Sequence, residues 1–239
     1  MKMNTRKIVL HIPHSSMNGI FDPQIGLWGV NQYFVNEYVN RLTDWYTDML
    51  FSTKNESVIP VVFPYSRFVC DVERLEESPD MEGNGILYTR AGTFTRGTLS
   101  GATRKFLLNL REAHLLKLTN LLQPGDVLID CHSFLQDDDN APDICIGHND
   151  DWSYNRRLVD GIIDSFNRSG YTVMINEPFS NSLTPSATQD YYSVMIEVNK
   201  RVYLKNGGRV ISLINEPLKW TRWYGCLNKI YEMILKTDF

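Results

Sequence analysis

Short apolar runs alternate along this chain with stretches whose apolar residues recur at helical spacing. Lys7-Ile8-Val9-Leu10-His11-Ile12 and Ser57-Val58-Ile59-Pro60-Val61-Val62-Phe63 are strand-like. Between them Phe34, Val35, Tyr38, Leu42, Trp45 and Met49 recur with a helical period, which predicts one helix over 32–51 and a β-α-β unit. A second helix is predicted over 103–122, halted by Pro124-Gly125-Asp126 and followed by the buried strand Val127-Leu128-Ile129-Asp130-Cys131. Strands over 143–147, 171–175 and 193–198, a helix over about 154–167 and a last helix within 218–235 complete the pattern. Such alternation predicts an α/β sandwich with a largely parallel or mixed sheet.

Two stretches break the rhythm. The stretch 74–100, bordered by Glu73 and Gly101, carries Glu76, Glu77, Asp80 and Glu82 and then Gly83, Gly85, Gly92 and Gly97, too polar and glycine-rich for a core. Residues 177–190 hold Pro178, Pro185 and small polar residues. Both read as long loops, which in compact domains commonly bind ligands. With 239 residues and 43% hydrophobic content the chain can bury one sizeable core, so a single domain over 1–239 is expected. The charged residues, 24 Lys+Arg against 28 Asp+Glu, are interleaved, which argues against nucleic-acid binding. No apolar run is long enough to span a membrane, and no signal peptide is read at the N-terminus. Cys70, Cys131, Cys145 and Cys226 are widely spaced, unlike a disulfide framework, so a reducing, cytoplasmic setting is expected.

Candidate chemistry gathers at strand ends. His11 and His14 lie in His11-Ile12-Pro13-His14-Ser15-Ser16 after the first strand, and His132 follows the Val127 strand. That edge of an α/β sheet is where ligands bind. Imidazole is the commonest zinc ligand, and a catalytic zinc takes three protein ligands from His, Asp or Glu, so His14 and His132 are candidates for two. Capping groups at strand ends are the plainer alternative. Asp71 and Arg74 are close enough to enter the same site, Asp71 to ligate and Arg74 to hold a carboxylate, or else to form a pair that only fixes the loop. Glu197, in Met195-Ile196-Glu197-Val198-Asn199, is an acid within an apolar strand: a general base, or a charge on the solvent side of an edge strand. His114 reads as a structural helix residue, His148 as a rim residue, and Asp137-Asp138-Asp139-Asn140 as a solvated loop rather than a calcium site. Ser15 and Ser133 stand near histidines but not in a GxSxG turn.

The ordered set Pro13-His14-Ser15, Asp71-x-x-Arg74, Asp130-Cys131-His132-Ser133-Phe134, Pro142-Asp143-Ile144-Cys145-Ile146-Gly147, Asn176-Glu177-Pro178-Phe179 and Met195 to Asn199 resembles the N-formylglutamate amidohydrolase family, over residues 8 to 203. That family is similar to zinc carboxypeptidases and succinylglutamate desuccinylases. The resemblance implies a three-layer α/β/α sandwich around a mixed, largely parallel sheet. It also implies one zinc ion and hydrolysis of N-formyl-L-glutamate, or a related N-acyl amino acid, to formate and L-glutamate, within histidine catabolism. His14 and His132 would be metal ligands and Glu197 the general base. The carboxypeptidase pattern has Glu three residues after the first histidine where this chain has Met17, so Asp71, or after it His11, would complete the ligand set. Arg74 would hold a substrate carboxylate, with Arg67 and Arg90 behind it; Ser133 and His11 would also line the substrate site.

Two departures fall in the expected pocket. Glu73 stands where the family often has Asn before the arginine, and Ser180-Asn181-Ser182 where a glycine pair is usual. They bear on the identity of the substrate. Competing expectations are acyl hydrolysis by Ser133 or Ser15 with a histidine base, and a binding protein that keeps the pocket for an N-acyl amino acid without turnover. Trp220-Thr221-Arg222-Trp223-Tyr224 is expected to pack in the core, with a homo-oligomer contact as the other use.

Overall fold

The computed structural model describes residues 6–29, 31–74, 83–138, 140–185 and 190–239. Met1 to Thr5, the loop acids Glu76, Glu77, Asp80 and Glu82, Asp139, and residues 186–189 of the second long loop lie outside the described residues. The strands in chain order are β1 (Ile8–Ile12), β2 (Val58–Val62), β3 (Arg90–Ala91), β4 (Phe94–Thr95), β5 (Val127–Phe134), β6 (Ile144–Gly147), β7 (Val173–Ile175), β8 (Tyr192–Asn199), β9 (Leu204–Lys205) and β10 (Val210–Leu213). The helices are α1 (Gln32–Phe34), α2 (Asn40–Leu42), α3 (Thr47–Leu50), α4 (Gly101–Leu121), α5 (Arg156–Arg168) and α6 (Pro217–Lys236). Six strands form the main sheet in the order β2-β1-β5-β8-β6-β7. Its first four members are mutually parallel, β6 runs antiparallel to β8, and β7 is parallel to β6, so the sheet is mixed and largely parallel.

Strand alternation divides the side chains between two helical layers. Ile8, Leu10 and Ile12 of β1, Val127, Ile129 and Cys131 of β5, and Val194, Ile196 and Val198 of β8 pack with Leu158, Ile162 and Phe166 of α5 and with Trp223, Leu227 and Ile230 of α6. Val9 and Leu128, one residue out of phase, pack instead with Leu118 and Leu122 at the end of α4. Both faces are covered, as a parallel sheet requires, and the layers are α/β/α. Trp223 is therefore core.

The helices start and stop on local signals. The Asn155 side chain accepts from the Leu158 N–H to open α5, the Ser100 side chain accepts from the Thr103 N–H to open α4, and Pro217 occupies the first turn of α6. Gly125, at φ +85°, makes the turn between α4 and β5 that a side chain would strain.

Several expectations are corrected. The helix expected over 32–51 breaks after Leu42. A π-helical segment, Val35–Val39, separates α1 from α2, and Thr43 turns extended. The Asp44 N–H then donates to His14 O (2.9 Å), and Tyr46 adopts φ +61° ahead of α3. The apolar period was real, since Phe34 and Val39 are buried, but tertiary hydrogen bonds outweigh helix continuation here. β5 runs to Phe134, so His132 and Ser133 lie within the strand rather than beyond it. β7 starts two residues late, at Val173. β8 lies between β5 and β6, so Glu197 is not on an edge strand. The small hairpins β3-β4 and β9-β10 lay in stretches not expected to form strands.

Candidate active site

The alternation that builds the layers also collects the polar residues. On β1 the α4 face carries Val9 and then His11; on β5 it carries Leu128, Asp130 and His132; on β8, Met195 and Glu197. Register completes the arrangement, pairing His11 with Asp130 and His132 with Glu197 on neighbouring strands. These residues stand toward the C-terminal ends of the parallel strands, where the turn after β1 adds His14, the break after α2 adds Asp44, and the segment after β2 adds Arg67, Asp71, Glu73 and Arg74. α4 closes the back with the buried stripe Leu107, Arg111, His114 and Leu118.

His14 and His132 are held in the same manner. Each donates from Nε2 to carboxylates, His14 to Asp71 (2.9 Å) and His132 to Glu73 Oε1 (2.8 Å) and Asp130 (3.2 Å). Each then turns Nδ1 toward Asp44 Oδ2, at 3.7 Å and 3.1 Å respectively. His14 Nδ1 is buried and has no hydrogen-bond partner. Burial would lower both imidazoles, but the surrounding carboxylates, Arg67 opposing them at His14, hold His14 above its usual value and His132 well above it. Burial likewise pushes Asp44 upward, yet His132 and His14 hold it below the usual carboxylate range.

A divalent ion fits this donor set on three counts. Two imidazoles and a carboxylate suit zinc. Their 3.1 and 3.7 Å donor spacings bracket the roughly 3.4 Å edge of a tetrahedron with bonds of about 2.1 Å. The Nε2 carboxylates are the partners that orient metal-binding histidines. Groupings of His11, Glu73 and Asp130, and of His14, Asp71 and Glu73, also bring three donor atoms together.

Asp71 is fully engaged elsewhere. Its Oδ1 accepts from His14 and from the Glu73 N–H (3.1 Å), and its Oδ2 from Arg67 (3.0 and 3.3 Å) and Tyr88 (3.1 Å). That exhausts the roughly four lone-pair positions of a carboxylate. Burial opposes its ionisation, but Arg67 and His14 hold it well below the ordinary range. His11 lies behind the cleft, fully buried, with Nδ1 donating to Asp130 (2.8 Å) and Nε2 3.0 Å from His114 Nε2. Burial drives His114 down to about 3.

Glu197 is 8% exposed, and its Oε2 has no hydrogen-bond partner. Burial pushes its carboxyl up to about 8 against the pull of His132. Behind it, buried Lys200 donates from Nζ to Arg41 O (2.6 Å), tying the end of β8 to the segment that carries Asp44.

The site opens onto one cleft of about 1180 Å³. His14, Asp44, His132 and Glu197 line it together with Arg67, Glu73, Arg74 and Arg90. Arg67 is committed to Asp71, whereas the Arg74 side chain is 48% exposed and 3.7 Å from Asp71. Ser133 also lines the cleft, but neither it nor Ser15 is hydrogen-bonded to a histidine among the described residues. Sequence patterning does not single out Asp44, and it marks Glu73 only as a loop acid and a departure from the family pattern. The one signal for Asp44 is an acid set between Leu42 and Trp45 in an otherwise apolar period.

Fold and cluster together define an α/β protein with a histidine–carboxylate centre at the C-terminal edge of its parallel strands. A family model described as N-formylglutamate amidohydrolase matches residues 6–204, and the chain belongs to that family of hydrolases. The N-formylglutamate amidohydrolase of Ralstonia eutropha JMP134 is similar in structure, with a TM-score of 0.71 at 15% identity, covering 97% of this chain and 92% of that one. A gene product of Agrobacterium tumefaciens is similar at TM-score 0.59 and 17% identity, covering 96% and 90%. No curated protein matches the sequence significantly.

Proposed function

We propose that this chain is a zinc-dependent amidohydrolase that cleaves the amide bond of N-formyl-L-glutamate, or of a related N-acyl amino acid, to formate or the corresponding acid and the free amino acid. The observation that carries the reading is the pair of histidines, each backed at Nε2 by a carboxylate and each presenting Nδ1 to Asp44. In this reading His14, Asp44 and His132 hold the ion. Asp71, the acid first expected from the sequence, becomes the group that orients His14. His11 moves behind Asp130.

Zinc, when bound, supplies a Lewis acid for the carbonyl and lowers the pKa of water. The chain's own residues do the rest. Glu197 takes a proton from the attacking water as its oxygen bonds to the carbonyl carbon, then delivers it to the leaving nitrogen as the C–N bond breaks. Its burial raises its proton affinity toward what that shuttle needs. Arg74, the freer guanidinium beside Asp71, holds the substrate carboxylate. Asp71 and Asp130 keep the two imidazoles in one tautomer and one orientation.

The test is hydrolysis of N-formyl-L-glutamate by the purified protein as isolated, after chelation, and after zinc is restored. Activity that disappears and returns is expected. Activity that survives stringent chelation would overturn the metal assignment, and covalent capture of Ser133 or Ser15 by a phosphonate would move the reaction to serine chemistry.

A further inference from the structure

None of the proton or bond transfers in the proposed hydrolysis engages Glu73. Its N–H donates to Asp71 Oδ1 (3.1 Å), which fixes the base of the side chain and turns the carboxylate into the cleft. There Oε1 lies 2.8 Å from His132 Nε2, and Oε2 lies 3.6 Å from His14 Nδ1. Among the described residues its ion-pair partners are His11, His14 and His132. Histidines that bind an ion do so through neutral nitrogen, so in the working enzyme the positive charge nearest Glu73 would be that of the ion, which Asp44 already shares. The Glu73 side chain is only 21% exposed, and a carboxylate so placed attracts a cationic substrate group. A substrate carboxylate brought to the same place would be repelled.

We propose that Glu73 is a specificity-determining residue that selects acyl groups bearing an ammonium on the carbon next to the scissile carbonyl. The favoured substrate class is then an aminoacyl-amino acid, a dipeptide with an acidic C-terminal residue, rather than an N-formyl amino acid. The inference rests on the amidohydrolase reading above and deepens it. An α-ammonium nitrogen sits roughly 2.5 Å from its carbonyl carbon, so a substrate whose carbonyl is beside His14 and His132 places that nitrogen within reach of Glu73. Arg74, the next residue, offers the opposite charge to the C-terminal side. The cleft, about 1180 Å³, has room for the larger acyl group. The reaction remains hydrolysis: water adds to the carbonyl carbon, the C–N bond breaks, and two amino acids leave.

The experiment compares glycyl-L-glutamate, N-acetyl-L-glutamate and N-formyl-L-glutamate as substrates of the zinc-loaded wild type, Glu73→Gln and Glu73→Asp. We expect kcat/KM for glycyl-L-glutamate to exceed that for the other two by at least about 10-fold in the wild type. Glu73→Gln should remove that preference while raising turnover of N-acetyl-L-glutamate, and Glu73→Asp should keep part of it. Calorimetry supplies a readout free of turnover. The ketomethylene analogue of glycyl-L-glutamate should bind the wild type more tightly than its desamino counterpart, and Glu73→Gln should close the gap. Preference of the wild type for the formyl or acetyl compound overturns the proposal. So does a Glu73→Gln effect that is equal for all three, which is the behaviour of a metal ligand. If nothing in the panel is hydrolysed the amidohydrolase reading fails, and equal binding of the two analogues then overturns the role of Glu73 separately.

Discussion

Glu197 and Asp71 show how neighbours set the task of a side chain. Glu197→Gln keeps the shape but cannot carry a proton, so kcat/KM should fall by about 10²- to 10⁴-fold with zinc content, read by atomic absorption, unchanged. The same group makes the metal-free protein sensitive to pH. Burial raises Glu197 from 4.5 to about 8, so the folded chain holds its proton more tightly than the unfolded one. The stability contributed is complete below about pH 4.5 and is lost as pH rises through about 8; denaturant midpoints of apo wild type and Glu197→Gln, measured across that window, should diverge. Asp71→Asn leaves His14 with a weaker partner at Nε2 and should lower zinc affinity by about 10- to 100-fold in chelator competition. His132 and Glu197 were legible because each breaks an apolar strand pattern with a polar residue, and His14 because it directly follows such a strand. Asp44 was not, because an acid on a regular helical period looks like the solvent face of that helix until the helix is known to end at Leu42.

The helix that fails between Leu42 and Thr47 delivers Asp44 to the site, while α5 on the far layer delivers only stability. Asn155→Ala removes the cap of α5 and should lower unfolding free energy by about 1 kcal/mol. Ile162→Ala, in the core between α5 and the sheet, should cost about 2–5 kcal/mol. Both variants, measured by chemical denaturation, should retain kcat/KM for whichever substrate the wild type turns over, since α5 packs on the sheet face opposite His132 and Glu197. β1, β5, β8, α4, α5 and α6 were read in place, within a few residues at their ends, because each repeats one hydrophobic period over enough positions to be unambiguous. β3, β4, β9 and β10, two to four residues each, offer no such period; they pair because neighbouring structure holds their backbones side by side.

For the molecule as a whole, the proposed ion ties together segments that come from residues 14, 44 and 132, none of them adjacent in sequence. Zinc should therefore raise the melting temperature of the apo protein, with a stabilisation of about 2.7 kcal/mol when free zinc is 100-fold above its Kd. Scanning calorimetry would test this, and Asp44→Ala should abolish most of the shift.

The order of residues was enough to establish an α/β chain, the principal strands, and two histidines near strand ends with a glutamate inside a strand, because periodicity and the polar residues that interrupt it are local properties written along the chain. It could not show that Asp44 faces both histidines, that Asp71 is consumed by Arg67 and Tyr88, or that Glu73 points between them. Those facts depend on strand order, on the register that sets His132 beside Glu197, and on where a helix yields to hydrogen bonds from distant loops. They arise from contacts between residues remote in sequence, and such contacts exist only once the sheet is assembled.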